Sequence, residues 1–280
     1  MYHIGMTQWI AGDEDLETSC KRLQKYGYNG IEFAAEPHKL DAGVCASLLK
    51  KYGLDCRSLC GLYDESRDLT GSGDTGKNAV SYLKDSVDFA VKVGAKIIIV
   101  VPSPVGRVAP PECKSPETLW ASAIKNISEA ADYAQKNNVK LAIEPINRYE
   151  TYFANTAEKA YALVKDINHP AVGIMADVFH MSLEERNIPQ SLLMIADKLL
   201  HVHIADNTRE PAGLGRTDFK EIILMLRKIG YQGSLTMEYM FRLANPYSSQ
   251  SVKTDPGLMD RYAQQSIDYL RMIERSTGGW

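Results

Sequence analysis

Four apolar runs of strand length each end on a residue able to bind a metal. Lys140-Leu141-Ala142-Ile143 delivers Glu144, and Val172-Gly173-Ile174-Met175-Ala176 delivers Asp177. Leu200-His201-Val202 delivers His203, and Ser234-Leu235-Thr236-Met237 delivers Glu238. Runs of this kind read as strands of a parallel sheet covered on both faces. A charged side chain at the end of such a strand, unlike one in its middle, reaches solvent, an ion or a substrate. The same event at matched positions in four strands demands a fold that gathers strand ends together.

The rest of the chain supplies the repeat. Ile4-Gly5-Met6 reads as a first strand, with Asp13 as N-cap of a helix carrying Leu16, Cys20 and Leu23 before Gly27. Gly30–Ala34 follows as a strand, then a helix over residues 41–52 closing at Gly53, and a strand over residues 54–59. A glycine-rich loop at residues 70–76 precedes a helix over residues 77–93 and a strand over residues 96–101. A proline-rich loop over residues 102–116 leads to a helix over residues 117–137. In the second half, Thr156 caps a helix through Val164, residues 188–193 form a short helix, and further helices cover residues 218–230 and 256–274. Lys25-Tyr26-Gly27-Tyr28-Asn29-Gly30 resembles Lys228-Ile229-Gly230-Tyr231-Gln232-Gly233, one glycine stopping a helix and the next opening a strand. About eight such alternations without a linker imply a single (β/α)8 TIM barrel spanning residues 1–280, a usual length for that fold. A doubly wound open sheet is disfavoured because no glycine-rich phosphate fingerprint follows the first strand.

Functional groups of such barrels sit at the C-terminal ends of the strands, where Glu144, Asp177, His203 and Glu238 lie. Three carboxylates and one imidazole suit a divalent ion such as Mn2+, Mg2+ or Co2+, whereas structural zinc favours cysteine. Four protein ligands leave about two positions of an octahedral ion for two adjacent substrate oxygens. Taken singly, each residue has a plainer role as helix cap, ion-pair partner or core histidine; the matched set of four favours metal binding. His201 is read as alternating with His203 and facing the helices, a structural residue. Cys56 and Cys60 are read as packing residues, with Cys60 near the pocket mouth.

Glu144-Pro145-Ile146-Asn147-Arg148-Tyr149-Glu150, Asp177-Val178-Phe179-His180-Met181, His203-Ile204-Ala205-Asp206-Asn207-Thr208-Arg209 and Glu238 resemble the sugar isomerase/epimerase barrels of the xylose isomerase-like superfamily. Within it they are most similar to the D-tagatose and D-psicose (allulose) 3-epimerases. The resemblance spans the chain, with specific motifs in the second half. It implies an isomerase that inverts C3 of a ketose or keto-sugar acid through a cis-enediolate, Mn2+ being the expected ion. By that resemblance Glu144 and Glu238 are both metal ligands and the acid/base pair. His180 and Arg209 would hold the carbonyl oxygen, and Glu150 the terminal hydroxyl end of the substrate. A homodimer or homotetramer is implied as well.

The chain also departs from those 3-epimerases. Ala205-Asp206 stands where they place Gly-Glu, and Pro145-Ile146 where they place Val-Leu. The run from Glu144 to Thr151 is closer to a branch that includes epimerases of keto-sugar acids. A carboxylated substrate would need a further cation, for which Arg107, Arg216 and Arg242 are candidates. Trp9, Phe33, Tyr63 and Trp120 are candidate sugar-facing aromatics, and residues 62–76, 102–116 and 240–256 candidate lids or subunit contacts.

Three other functions compete. An aldose–ketose isomerase would use the same metal and enediolate chemistry. An endonuclease IV-like phosphodiesterase would need about three metals, more histidines than the 6 present, and a basic face that a net charge of -3 does not supply. An inactive sugar-binding module would have no need of both glutamates. No apolar stretch reaches membrane-spanning length, no signal peptide is read, and five cysteines without zinc spacing fit a reducing cytoplasm.

Overall fold

The structure, a computed structural model, describes residues 1–112, 114–241 and 255–278. Eight parallel strands close into a barrel in sequence order: β1 (His3–Thr7), β2 (Gly30–Ala34), β3 (Ser58–Cys60), β4 (Ile97–Val100), β5 (Lys140–Ile143), β6 (Val172–Asp177), β7 (Leu199–Ile204) and β8 (Ser234–Met237). The pairing of β1 with β8, His3 opposite Ser234 through Met6 opposite Met237, removes the last free edge. Outside the strands run α1 (Leu16–Tyr26), α2 (Ala42–Tyr52), α3 (Asp74–Val93), α4 (Pro116–Lys136), α5 (Ala157–Ile167), α6 (Val178–Glu184), α7 (Ile188–Met194), α8 (Phe219–Lys228) and α9 (Pro256–Ser276).

Local chemistry sets the boundaries. Asp15, not Asp13, caps α1, accepting from Thr18 N at 2.9 Å. Thr156 caps α5 as expected, and Gly27, Gly53 and Gly94 close α1, α2 and α3 in the left-handed conformation that glycine adopts without strain. Helix α3 starts earlier than the glycine-rich loop suggests, at Asp74. Strand β3 is shorter than expected, because Asp55 meets Gly30 as an isolated bridge and turns its carboxylate to His3. Helix α6, which places His180, carries no strong sequence signal.

Two apolar layers result. The larger fills the space between sheet and helices, with Phe33, Leu59, Ile98, Leu141 and Leu235 fully buried. The smaller, Ile99, Ala142 and Met175, packs inside the barrel. Strand alternation puts Glu32, Ser58, His201 and His203 inside as well, so one side of the interior is polar. His201 therefore does not face the helices: residues two apart on a strand share a face, and its Nε2 lies 3.0 Å from Glu32 Oε2 within the barrel. Beside it, Ile174 pairs with Leu199 and Met175 with His201, leaving Leu200 as an extra residue that bulges β7.

Candidate active site

The structure brings the four strand-end residues together. Glu144 follows β5 and Glu238 follows β8, their amides bonded to Val100 O at 2.9 Å and Ile204 O at 3.0 Å. Asp177 ends β6 and caps α6, accepting from Phe179 N at 2.8 Å. His203 lies on β7. One potential ligand atom from each lies within 4.8 Å of every other, and all four residues are buried. Above them opens a cavity of about 300 Å³.

His180, one turn beyond Asp177, points its Nε2 at the same centre, 3.5 Å from Asp177 Oδ2 and 3.9 Å from Glu144 Oε1. Its other nitrogen accepts from Asn147 Nδ2 at 2.7 Å, and the same amide donates to Glu150 Oε1 at 2.9 Å. Both amide hydrogens of Asn147 are thus committed, and Nε2 of His180 keeps its proton as a donor facing the cavity. Burial, helped by Arg209, holds this ring well below the usual histidine range, so it is a neutral donor. Arg209 is held through its terminal nitrogens and its guanidinium face, its Nε being buried without a partner. Its Nη1 reaches Glu150 at 3.1 and 3.3 Å, its Nη2 lies 3.8 Å from Glu238 Oε2, and its guanidinium lies 4.7 Å from the centre of the Phe179 ring.

Counting protein charges alone, three carboxylates face His203 and Arg209. Burial, with Glu238 and Asp177 as like charges, pushes Glu144 well above the carboxylate range. Burial and Glu238 push Asp177 up to about 7. Burial acts the same way on Glu238, but His203 and Arg209 outweigh it and hold this group down to about 2. Burial opposes charge on His203 too, yet Glu32 and Glu238 carry it well above the histidine range. With protein charges alone, the two buried glutamates of the cluster are thus pushed apart, Glu144 toward its acid form and Glu238 toward its base form.

A divalent cation fits these residues. Asp177 Oδ2 and His203 Nδ1 are buried without a hydrogen-bond partner, although both sit inside the four-residue group. Oxygen-rich donors with one imidazole match a hard or borderline ion. Such an ion would let all three carboxylates ionise together.

Comparison with known proteins identifies the family. The family model "Xylose isomerase-like TIM barrel" matches residues 20–271. The chain belongs to that family. Within the xylose isomerase-like barrels, it is 26% identical over 277 residues to the D-psicose 3-epimerase of Ruminiclostridium cellulolyticum, covering 95% of this chain and 94% of the other. It is 29% identical over 258 residues to the 3-dehydro-D-guloside 4-epimerase of Escherichia coli, covering 87% and 94%. The D-allulose 3-epimerase of Methylomonas sp., solved with D-allulose, shares the fold at a TM-score of 0.86 and 22% identity, covering 97% and 96%.

The structure also sorts the remaining candidates. Trp9 lines the cavity and donates its indole N–H to Glu238 Oε1 at 2.9 Å, and Tyr63 and Cys60 line it as well. Phe33 is core between sheet and helices, and Trp120 packs on Phe153 and bonds Asp166. Glu150 directs its carboxylate at Arg209 and Asn147. Arg107 and Arg216 lie outside the cavity lining, and Arg242 is not among the described residues. Among the described residues the cations that line it besides Arg209 are Lys39 and Arg67, with Glu36 and Asp64 beside them. Arg67 pairs with Glu36 at 2.7 Å and lies 4.0 Å from the Tyr82 ring centre. Sequence reading missed Arg67 because its loop carries no periodicity, and missed the role of Asn147 although the residue stood inside the quoted motif. Of the loops, residues 62–76 contribute Leu62, Tyr63, Asp64 and Arg67 to the wall and residues 102–116 contribute Val105, whereas residues 240–256 fall mostly outside the described residues.

Proposed function

We propose that this chain is a divalent-metal-dependent epimerase of a keto sugar, inverting the carbon next to the carbonyl. One observation carries the reading: two glutamates following β5 and β8, an aspartate and a histidine meet at the floor of an open cavity whose wall presents two further hydrogen-bond donors. The relatives named above act at different carbons. An epimerase acting at C3 of a 2-ketose and one acting at C4 of a 3-dehydro sugar face the same problem, a proton beside a ketone.

In this reading Glu144, Asp177, His203 and Glu238 hold the ion, Mn2+ in the first instance with Co2+ or Mg2+ as substitutes. When bound, the ion supplies positive charge to the two adjacent substrate oxygens and makes the intervening C–H more acidic. One glutamate takes the proton from one face, and the electron pair of the broken C–H bond moves toward the carbonyl to give the enediolate. The other glutamate returns a proton to the opposite face. Their separation around the barrel, on β5 and β8, suits a flanking pair. His180 Nε2–H and the Arg209 guanidinium donate to the carbonyl oxygen where negative charge accumulates. Glu150, which the family resemblance assigns to the terminal end of the substrate, is proposed to act here by holding Arg209. The same reading places the enzyme in the cytoplasm, consistent with its free, buried cysteines 20, 45, 56 and 60.

The test is deuterium wash-in from D2O across ketopentoses, ketohexoses and keto-sugar acids, with Mn2+ and with chelator. Exchange at the carbon beside the ketone together with epimer formation, lost with chelator, is expected. Aldose without epimer would make the protein an aldose–ketose isomerase, and absence of exchange on the whole panel would leave it a binding module.

A further inference from the structure

The floor of the site does not end at the four strand-end residues. Glu32, on β2, is buried inside the barrel with 2% of its surface exposed. Its Oε1 lies 2.9 Å from His203 Nε2, and its Oε2 lies 3.0 Å from His201 Nε2 and accepts from Ser58 Oγ. The two imidazoles stand edge to face, their centres 5.1 Å apart at 78°. One carboxylate therefore clamps both rings of the His201-Val202-His203 segment from the side away from the cavity.

We infer that Glu32, backed by His201 and Ser58, is a positioning residue that holds the His203 ring with Nδ1 turned into the four-residue group. Proton arithmetic leads there. An ionised carboxylate only accepts, so each ring must give it an N–H from Nε2. That leaves Nδ1 as the nitrogen of His203 that can offer a lone pair, and Nδ1 is the atom 3.3 Å from Glu238 Oε2. An acceptor behind a ligand histidine fixes its tautomer and ring angle and raises its basicity. His201 has the complementary task. Its Nδ1 has no hydrogen-bond partner, so its polar contact in the barrel is made through Nε2 to Glu32 and Ser58. It keeps the second carboxylate oxygen from turning away from its place.

Ligand-type atoms of Glu32, His201 and His203 also lie within 4.8 Å of one another, which would suit a second cation. Their contacts of 2.9 and 3.0 Å are hydrogen-bond distances, and Ser58 already occupies part of Oε2. Support of His203 is the reading the geometry favours.

The inference rests on the metal reading above, and the experiment separates the two. Mn2+ affinity is measured by chelator competition, and the Co2+ absorption spectrum by titration, for wild type, Glu144→Gln, Glu32→Gln, Glu32→Asp and His201→Phe. A glutamine at position 32 accepts from one ring but presents an N–H to the other, so one imidazole must change tautomer or turn. Mn2+ binding by Glu32→Gln is expected to weaken roughly 10–100-fold, with an altered Co2+ spectrum, and Glu32→Asp to recover part of the affinity. His201→Phe should weaken binding less. Wild-type affinity and spectrum in folded Glu32→Gln would overturn the inference. So would a second Mn2+ equivalent in wild type that this variant lacks. If Glu32→Gln does not fold, wild-type affinity and spectrum in His201→Phe decide against it. Failure of the metal reading looks different: wild type and Glu144→Gln would then bind Mn2+ equally weakly.

Discussion

Arg209 shows what the site demands of a single residue. Its φ of 61° lies in the left-handed region that a non-glycine residue occupies at a cost of order 1 kcal/mol. The backbone is pinned there by Arg209 N to Asp206 O at 2.8 Å and Met240 N to Arg209 O at 2.7 Å. The guanidinium is pinned by Glu150 and Phe179. Replacing Glu150 by glutamine leaves the cation in place without its anchor. We expect Glu150→Gln to lower kcat/KM by about 10–100-fold through lost orientation, with Mn2+ affinity unchanged, as steady-state kinetics and chelator competition will show. The glutamates bear on chemistry more directly. Glu144→Gln and Glu238→Gln, each at saturating Mn2+, should lose about 10²–10⁴-fold in turnover. Whichever variant lacks the returning acid should still exchange the substrate proton with D2O while forming little epimer. Equal, near-complete activity in both variants would remove them from the proton transfer.

At the scale of elements, the loop between β7 and α8 is built on Asp206. Its carboxylate accepts from the amides of Gly213 at 2.9 Å, Gly215 at 2.8 Å and Thr217 at 3.1 Å. Burial raises this group's pKa, but those N–H donors prevail and hold it below the ordinary aspartate value. The loop's anchoring is accordingly present above the ordinary carboxylate range and is lost as pH falls through the lowered value. Glycine is needed at 215, where an added Cβ would sit 2.2 Å from Asp206 Oδ1. Asp206→Ala orphans these donors, and we expect a loss of about 1–3 kcal/mol in denaturant unfolding with a larger loss of kcat/KM as Arg209 drifts. A variant with wild-type kinetics would separate the loop from the site. The strand-end residues 144, 177, 203 and 238 were legible because a parallel strand has a direction and barrel strands share one functional end. Asp206 was not, because its carboxylate bonds amides 7–11 residues downstream in a loop with no periodicity to announce them. The bond of Trp9 to Glu238 and the place of Glu32 needed the closed barrel: the first meets a carboxylate 229 residues away and the second an imidazole 171 residues away.

On the scale of the whole molecule, the barrel closes eight strands around a buried cluster of like charges, and a cation should report on both stability and pH. If Mn2+ binds the folded state alone, about a hundredfold excess over its dissociation constant adds about 2.7 kcal/mol to unfolding, a rise of roughly 5 °C in midpoint for a chain of this size. The sign of the pH dependence follows from the protons the ion must displace. Asp177 is held up to about 7, Glu144 higher still and His203 well above the histidine range, so below those values the protons on all three compete with the ion. Affinity should therefore climb with pH, by about tenfold per unit for each proton displaced below the group's pKa, and proton release should shrink as pH passes the raised values. A depressed carboxylate would behave oppositely, leaving affinity flat across neutrality. Calorimetric Mn2+ titration at about pH 6 and about pH 8, each in two buffers of different ionisation enthalpy, counts the protons directly. Binding that releases none at the lower pH would mean that Asp177 and Glu144 are already ionised and His203 already neutral, and the charge balance drawn for the cluster would be wrong even if the ion sits where it is proposed.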